Sequence, residues 1–304
     1  MAHTHGDGHA HGAHADRRVL ATALALVAAL LAGEVVAGIV ANSLALLADA
    51  AHMLTDVAAL ALALAAAALG HRPARGRWTF GFRRLEILAA QVNGLTLALV
   101  GVLILYSAVR RLIDPPEVRG GIVLVVALVG VAVNVLATAL LARASRESLN
   151  VRGAFLHVAT DAAAFAGTAV AGGLILATGW HRFDPLASLA VAVLILWSAY
   201  RLLRESTGIF MEMSPAGIDP ELVGRTLAAE PNVVEVHDLH VWTVTSGFPA
   251  FSAHVLVEPG ADCHGVRRRL ETILAERFGL AHTTLQVEHA TAREPLVKLK
   301  AWRR

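Results

Sequence analysis

The chain has 304 residues, of which 56% are apolar and 16% are charged, and its mean hydropathy is +0.59. An ordinary soluble domain is about 45–50% apolar and about 25% charged, so this composition excludes a disordered chain and argues against a wholly soluble enzyme. The 26 basic residues are balanced by 24 acidic ones, which argues against a nucleic-acid-binding protein. The single cysteine, Cys263, excludes an internal disulfide and a cysteine-based zinc knuckle.

Residues 1–16 form a histidine-rich segment, which we expect to be flexible because it is also rich in Gly and Ala. A histidine cluster at an N-terminus can be an expression tag. Here the histidines alternate with Gly, Ala and Asp and are not consecutive, which favours a segment that collects or senses a metal ion. The candidate ligands are His3, His5, His9, His11 and His14.

Residues 17–207 are dominated by long apolar runs that lack the strict alternation of a barrel strand. Each run reaches the roughly 20 residues that a helix needs to cross a hydrocarbon core of ~30 Å, whereas ordinary core helices average about 11–12 residues. The runs therefore predict an α-helical membrane protein with six transmembrane helices, and a large soluble helical core is the alternative. They cover residues 19–41, 44–69, 85–109, 120–142, 153–177 and 185–203.

The arginines between the runs predict the orientation of the chain. With the N-terminus placed in the cytoplasm, twelve arginines fall on the inside and four on the outside, which fits the positive-inside rule. An even number of spans then places both termini in the cytoplasm, so we expect a multi-pass protein of the cytoplasmic (inner) membrane, surrounded by the lipid bilayer. The outside arginines are Arg110, Arg111, Arg119 and Arg182, and the inside ones are Arg17, Arg18, Arg72, Arg75, Arg77, Arg83, Arg84, Arg143, Arg146, Arg152, Arg201 and Arg204.

Residues 208–291 have the pattern of a small α+β domain, which the same topology places in the cytoplasm. The elements follow one another in the order αββαβ, SGFP at 246–249 predicts a turn, and residues 292–304 form a short basic tail. The helices are predicted over 219–230 and 262–278, and the strands over 233–245, 250–257 and 283–289.

Two of the apolar runs carry ionisable side chains, which cost about 2.5–3.5 kcal/mol each at the centre of a bilayer. In the second run Asp49, His52 and Asp56 lie at i, i+3 and i+7 and share one helix face. In the fifth run His157 and Asp161 lie one turn apart. Each run thus contains a His-x-x-x-Asp pair. If the two helices pack together, two imidazoles and two carboxylates converge, which is a donor set for a tetrahedral zinc site.

Other polar residues of the runs are predicted to support this site. Asp49 is expected to orient His52 rather than to bind the ion. Glu34, in the first run, is expected either to line an access route or to form a hydrogen bond between helices. Asp184 begins the sixth run and is expected to cap a helix on the outer side.

The paired motifs have three alternative explanations. A single His–Asp pair is often a structural contact between spans, but two identical pairs in separate spans favour a metal site. An intramembrane zinc hydrolase needs an open coordination position beside a general base, whereas the two pairs fill the coordination sphere and do not form H-E-x-x-H. A membrane-anchored metal sensor would not need a complete site at membrane depth.

Four segments of the sequence, taken together, resemble the cation diffusion facilitator family, in the zinc-transporting branch of bacterial zinc, cadmium and cobalt efflux proteins. The resemblance extends from about residue 17 to residue 290. The segments are SLALLADAAHMLTDVAAL (43–60), TFGFRRLEILAAQVNG (79–94), SLNVRGAFLHVATDA (148–162) and VHDLHVWTVTSG (236–247).

This resemblance implies a homodimeric six-span transporter that exports Zn²⁺ in exchange for protons, with Cd²⁺ and Co²⁺ as alternative substrates. It implies no enzymatic activity and no cofactor, because Zn²⁺ is the transported substrate and a regulatory ligand. The transport site that it implies consists of His52, Asp56, His157 and Asp161. Many relatives carry a histidine-rich loop between the fourth and fifth spans, and residues 143–152 contain no histidine.

The resemblance also implies that the C-terminal domain is ferredoxin-like, binds a regulatory metal ion and contributes to dimerisation. It favours His237, His254 and Glu288 as ligands, with His240 and His264 as weaker candidates. His237 and His240 are three residues apart on a predicted strand, so a regular strand would direct them to opposite faces. Only a bulge would let them share one ion.

Overall fold

The structure is a computed structural model in which part of the chain is described. The histidine-rich N-terminal segment lies outside the described residues, and so do some side chains within the helices, those of Asp56 and His157 among them. The described residues are 28–70, 72–143, 149–290 and 301–303.

The chain forms two compact units. The first contains the residues up to Ala58 together with Asn93–Tyr200, and the second contains Ala59–Val92 together with Arg201–Arg304. Helices α2 and α3 therefore each contribute residues to both units. Asp49, His52 and Asp161, whose side chains the structure describes, belong to the first unit. The small α+β domain belongs to the second unit.

Six long helices are present in the described part of the first 210 residues, at the positions that the apolar runs predict. The helix bounds differ from the predicted runs mainly at the ends of α5 and α6, which extend by several residues. The helices are α1 (Ala28–Ala41), α2 (Leu44–Gly70), α3 (Leu85–Ile113), α4 (Gly120–Arg143), α5 (Leu149–Thr178) and α6 (Phe183–Phe210).

Two of these helices, α3 and α6, contain a stretch long and apolar enough to cross a membrane, judged over the described residues. The others contain shorter apolar stretches, so the count of six spans stays a prediction. Much of the apolar surface of α3 faces outward: Leu99 is 61% exposed and Leu103 is 56% exposed. Side chains of this kind are typical of a helix that contacts lipid.

Glycines allow α4 and α5 to approach each other closely. A Cβ atom on Gly130 would lie 2.3 Å from the ring of Phe165, and one on Gly172 would lie 2.7 Å from the backbone nitrogen of Leu124. Small residues at such contacts let the backbones of membrane helices approach closely. Van der Waals packing then holds the helices together, because lipid provides no hydrophobic driving force for their association. This contact holds α5, the helix that carries His157 and Asp161.

The C-terminal domain confirms the predicted order αββαβ between residues 220 and 289. Its turn is shorter than predicted, because β2 already begins at Phe248, and Gly247 adopts a positive φ of 71° there. Strand β2 pairs antiparallel with β1 and parallel with β3. The elements are α7 (Pro220–Ala228), β1 (Val233–Thr245), β2 (Phe248–Val257), α8 (Cys263–Phe278) and β3 (His282–His289).

The two helices of this domain cover one face of the sheet. Leu227 of α7 and Leu270 of α8 are fully buried against Val236 and Val255 of the strands. Burial of such a side chain contributes about 1.5–3 kcal/mol, so this core is the main source of stability of the domain. The other face of the sheet carries polar side chains.

The prediction that residues 292–304 form only a basic tail is wrong at its end. Ala301–Arg303 form a fourth strand, β4, which pairs antiparallel with β1 and completes the sheet order β3-β2-β1-β4. The ring of Trp302 packs on α7, where a Cβ atom on Gly224 would lie 2.4 Å from it. Three residues carry too little periodicity to predict a strand, and this one forms because β1 offers a free edge and α7 a surface for the indole.

Candidate metal centre

Three of the predicted polar residues line one cavity of about 780 Å³ in the first unit. Asp49 and His52 reach it from α2, and Asp161 reaches it from α5. The remaining walls come mainly from apolar side chains of α5 and α6, with Leu97 from α3. Asp49 is almost fully buried, at 2% exposure. Two carboxylates and an imidazole therefore line one cavity whose other walls are largely apolar.

Asp56 and His157 belong to the same two helices as these residues. The backbone of both is helical, and each lies one turn from a residue that lines the cavity: Asp56 from His52, and His157 from Asp161. Their side chains lie outside the described part, and no group of three or more His, Cys, Asp or Glu within that part is close enough to hold a metal ion. The four-residue transport site stays a prediction.

Glu34 of α1 lies beside this cavity. Its side chain is fully buried, and Asp49 and Asp161 are its electrostatic neighbours. Acidic side chains from α1, α2 and α5 are thus neighbours. Glu34 is therefore a buried acidic neighbour of the residues that line the cavity.

The N-terminus of α2 is held by α6. The carboxylate of Asp184 accepts hydrogen bonds from the backbone N–H groups of Leu44 (2.7 Å) and Ala45 (3.4 Å), and Ser43 Oγ accepts one from Leu46 N–H at 3.2 Å. The sequence predicted a capping role for Asp184, and the structure shows that the helix it caps is α2. This contact fixes the end of the helix that carries Asp49 and His52.

The open face of the C-terminal sheet brings several predicted ligands together. His237 pairs with His254 across β1 and β2, and their ring centroids are 5.4 Å apart. Glu288 lies on the same face, but its partner on β2 is Leu256, two residues beyond His254. The residue of β3 that lies beside His254 is Gln286. His237 and His254 are therefore neighbours, and Glu288 is on their face at a greater distance.

A bulge changes the position of His240. The register shifts between His237 and His240, which pairs with Ser252, and Asp238 adopts a positive φ of 52°. Since Ser252 and His254 lie on the same face of β2, His237 and His240 also share that face. The regular strand that would separate the two histidines is thus absent, and the exception foreseen in the sequence analysis applies.

Two carboxylates that the sequence analysis did not select lie beside these histidines. Asp238 lies between two histidines, with one oxygen 3.0 Å from His240 Nε2 and the other 3.9 Å from His254 Nε2. Glu235 lies 3.2 Å from His237 Nδ1. Asp238 was visible in the sequence as the acidic residue within VHDLH, but the direction of its side chain depends on the bulge.

His264 is not part of this face. It is an exposed residue in the first turn of α8, which packs against the opposite side of the sheet. Beside it, the backbone N–H of Gly265 lowers the pKa of Asp262, which precedes the helix. Cys263 contacts His289, with Sγ 3.5 Å from Nε2. Within one protomer, His264 therefore does not join His237 and His254.

These features define a class of protein: a helical membrane domain with ionisable residues around a cavity, followed by a small α+β domain. The family model of the cation efflux transmembrane domain matches residues 20–211, and that of the cation efflux protein cytoplasmic domain matches residues 215–290. The chain belongs to the cation efflux family, the cation diffusion facilitators. It is a membrane transporter of cations and not an enzyme.

Its curated relatives align over almost their whole length. The cadmium, cobalt and zinc/H⁺–K⁺ antiporter of Bacillus subtilis (strain 168) is 37% identical, and the alignment covers 92% of each chain. The metal cation efflux system protein CzcD of Cupriavidus metallidurans is 39% identical over 94% of this chain and 91% of its own. The zinc transporter ZitB of Escherichia coli (strain K12) is 38% identical over 97% of this chain and 95% of its own.

Proposed function

We propose that this chain exports Zn²⁺ from the cytoplasm in exchange for protons, by alternating access around His52, Asp56, His157 and Asp161. The observation that carries the proposal is that His52 and Asp161, from two different helices, line one cavity together with Asp49. Relatives named as zinc transporters or as a zinc/H⁺–K⁺ antiporter support the substrate and the exchange.

The donor set explains how the ion is held. Two carboxylates neutralise the charge of a divalent cation, and two imidazoles complete a tetrahedral set that suits Zn²⁺. Mg²⁺ and Ca²⁺ prefer six or more oxygen ligands, so a compact site with two nitrogen donors disfavours them. Asp49, a neighbour of Glu34, lies beside the site and orients His52.

The same residues explain the exchange for protons. The ion binds to neutral imidazoles and ionised carboxylates, so its binding displaces protons. The ordinary pKa of histidine, about 6.5, is close to physiological pH, and protons therefore compete with the metal at the site. When the cavity opens to a more acidic outside, protonation of His52 and His157 releases Zn²⁺, and return of the protonated carrier brings protons inward.

The proposed topology is that of a bacterial inner-membrane protein with six spans and both termini in the cytoplasm. Its support is the excess of arginine in the segments that this orientation places inside. The described connection between α2 and α3 alone contains Arg72, Arg75, Arg77, Arg83 and Arg84.

The C-terminal domain is proposed to bind regulatory Zn²⁺ and to join two copies of the chain. The match to the cation efflux cytoplasmic domain supports this role. The open sheet face supplies His237 and His254 as neighbours, with Asp238 between His254 and His240, and these are zinc donors. Glu288 and His264 would have to come from movement within the domain or from the second copy.

Zinc uptake into sealed proteoliposomes with an imposed pH gradient tests the transport proposal. Wild-type protein should accumulate Zn²⁺ only with the gradient, and Asp161→Ala should abolish uptake while it still inserts and dimerises. Asp114→Ala is the matched control, because it removes an exposed carboxylate that does not line the cavity. A normal rate with a well-folded Asp161→Ala protein would contradict the site, and a wild-type protein without any flux would favour a sensor or a hydrolase.

A further inference from the structure

A further cavity, of about 690 Å³, lies within the second unit, where the connection between α2 and α3 meets the β1–β2 turn and the start of β3. Its walls combine guanidinium groups, hydroxyls and aromatic rings, a mixture different from that of the metal centre. The residues that define its chemistry are Arg72, Arg83, Thr79, Ser246, Phe80 and Phe248.

The two arginines reach this cavity because the connection folds back on itself. Trp78 N–H donates to the carbonyl of Arg75 at 3.1 Å, and Gly81 N–H donates to the carbonyl of Trp78 at 3.0 Å. Gly81 has a positive φ of 65°, and a Cβ atom there would lie 3.1 Å from the carbonyl oxygen of Arg72. This close turn favours glycine and brings Arg83 back toward Arg72.

The guanidinium of Arg83 is held in place by an aromatic ring. It lies 4.7 Å from the centroid of the Phe248 ring, which in turn is 5.1 Å from the ring of His282. Stacking of this kind restricts a long side chain and leaves the edges of the guanidinium available for hydrogen bonds. Arg83 is therefore positioned before any ligand binds.

Within the described residues, the basic side chains of the cavity outnumber the acidic ones. In the described part of the chain neither Arg72 nor Arg83 forms an ion pair, whereas the neighbouring Arg84 pairs with Glu212 at 3.3 Å. Glu86 also lines the cavity, but its carboxylate accepts a hydrogen bond from Thr245 Oγ1 at 2.7 Å. With two arginines and one carboxylate, the lining carries one net positive charge, which suits an anion.

We propose that this cavity binds a phosphate group. Arginine presents a planar fork of N–H donors that matches phosphate oxygens, and such charge-assisted hydrogen bonds are stronger than neutral ones. The hydroxyls of Thr79 and Ser246 supply further donors. Both sides of the cavity contribute, so a bound phosphate ties the α2–α3 connection to the sheet of the C-terminal domain.

Two sources can supply this phosphate. One is the headgroup of an anionic phospholipid, because Ala66 near the end of α2 and the ring of Phe80 give the cavity an apolar border. The other is a soluble phosphate compound. The lipid source rests on the proposed membrane orientation, whereas recognition of phosphate depends neither on that orientation nor on metal transport.

Binding to the purified full-length protein tests the proposal. Phosphatidylglycerol is titrated into the delipidated protein in detergent, and the bound lipids are counted by native mass spectrometry. Phosphatidylcholine, which has no net charge, is the comparison lipid. Binding of inorganic phosphate is measured by calorimetry. The double variant Arg72→Gln/Arg83→Gln should weaken binding about tenfold or more, the loss expected when charge-assisted hydrogen bonds are removed. Arg75→Gln/Arg77→Gln is the matched control, since it removes the same charge from the same connection outside the cavity.

A second variant keeps the test decisive if the double variant does not fold. Ser246→Glu leaves both arginines in place and puts a carboxylate into the cavity, so it should weaken binding to a similar extent. If the cavity variants lose binding of phosphatidylglycerol and the control pair does not, the source is the lipid. If the same difference is seen with inorganic phosphate, the source is a soluble phosphate compound. Equal loss in the control pair, or no binding of either probe to the wild type, would overturn the proposal.

Discussion

Ser43 and Asp184 are separated by 141 positions in the chain, yet Ser43 Oγ donates a hydrogen bond to Asp184 Oδ1 at 2.5 Å. Both side chains are fully buried. Together they satisfy backbone N–H groups in the first turn of α2, which would otherwise lack partners in an apolar environment. Since α2 carries Asp49 and His52, this contact from α6 positions part of the proposed metal centre.

Asp184→Asn should therefore weaken both the fold and the transport rate. The asparagine amide retains one oxygen acceptor where the carboxylate uses both for Ser43, Leu44 and Ala45. We expect the free energy of unfolding to fall by about 1–3 kcal/mol, the usual cost of an unsatisfied buried group. Thermal unfolding in detergent measures the loss. Ser188→Ala is the control, because it removes a hydrogen bond within α6, from Ser188 Oγ to the carbonyl of Asp184. Equal losses in both variants would contradict the capping role.

His52→Asp should keep transport but relax metal selectivity. A carboxylate binds through one oxygen or two, so the site becomes richer in oxygen, more negative and able to expand around the larger Cd²⁺. The ratio of initial Cd²⁺ and Zn²⁺ rates in proteoliposomes, at equal free metal, should rise relative to the wild type. An unchanged ratio with both rates intact would mean that His52 does not bind the ion, and the site would have to be rebuilt around Asp49 and Asp56.

Deletion of residues 2–14 should leave maximal transport largely intact. The five histidines of this segment are interleaved with Gly, Ala and Asp and precede the first span, so we expect them to collect Zn²⁺ and not to carry it. The deletion should mainly raise the zinc concentration needed for half-maximal flux. A variant in which the five histidines are replaced by glutamine keeps the length of the segment and serves as the comparison. Complete loss of transport at saturating zinc would disprove this role.

Gly224→Ala should destabilise the C-terminal domain through Trp302. The added methyl group would lie 2.4 Å from the indole, so β4 or the ring must shift, at a cost of about 1–3 kcal/mol. Arg225→Ala, at the next and exposed position of α7, is the control. In the double variant Gly224→Ala/Trp302→Ala the clash is absent, so the two losses should be less than additive. Strict additivity in thermal unfolding of the full-length protein would show that Trp302 does not pack on α7.

Much of the local structure was predictable from the sequence, for a physical reason. The hydrophobic runs predicted the positions of all six described long helices, and the strand predicted over 233–245 is β1 with the same bounds. Hydropathy over 20 residues and the alternation of a strand are local properties. Each depends only on whether successive side chains are apolar or polar, and therefore on which of them face water. The two His-x-x-x-Asp pairs were visible in the same way, because helical spacing alone places their members on one face.

Tertiary structure decided what depends on partners distant in the chain. Ala301–Arg303 become a strand only because β1 has an edge to pair with, and Asp238 turns VHDLH into a bulge that puts His237 and His240 on one face. Asp184 could be predicted as a cap, but that it caps α2 follows from helix packing. Packing also places Arg72 and Arg83 around one cavity. Contacts of this kind depend on how whole helices and strands pack together, which the local sequence around a residue does not determine.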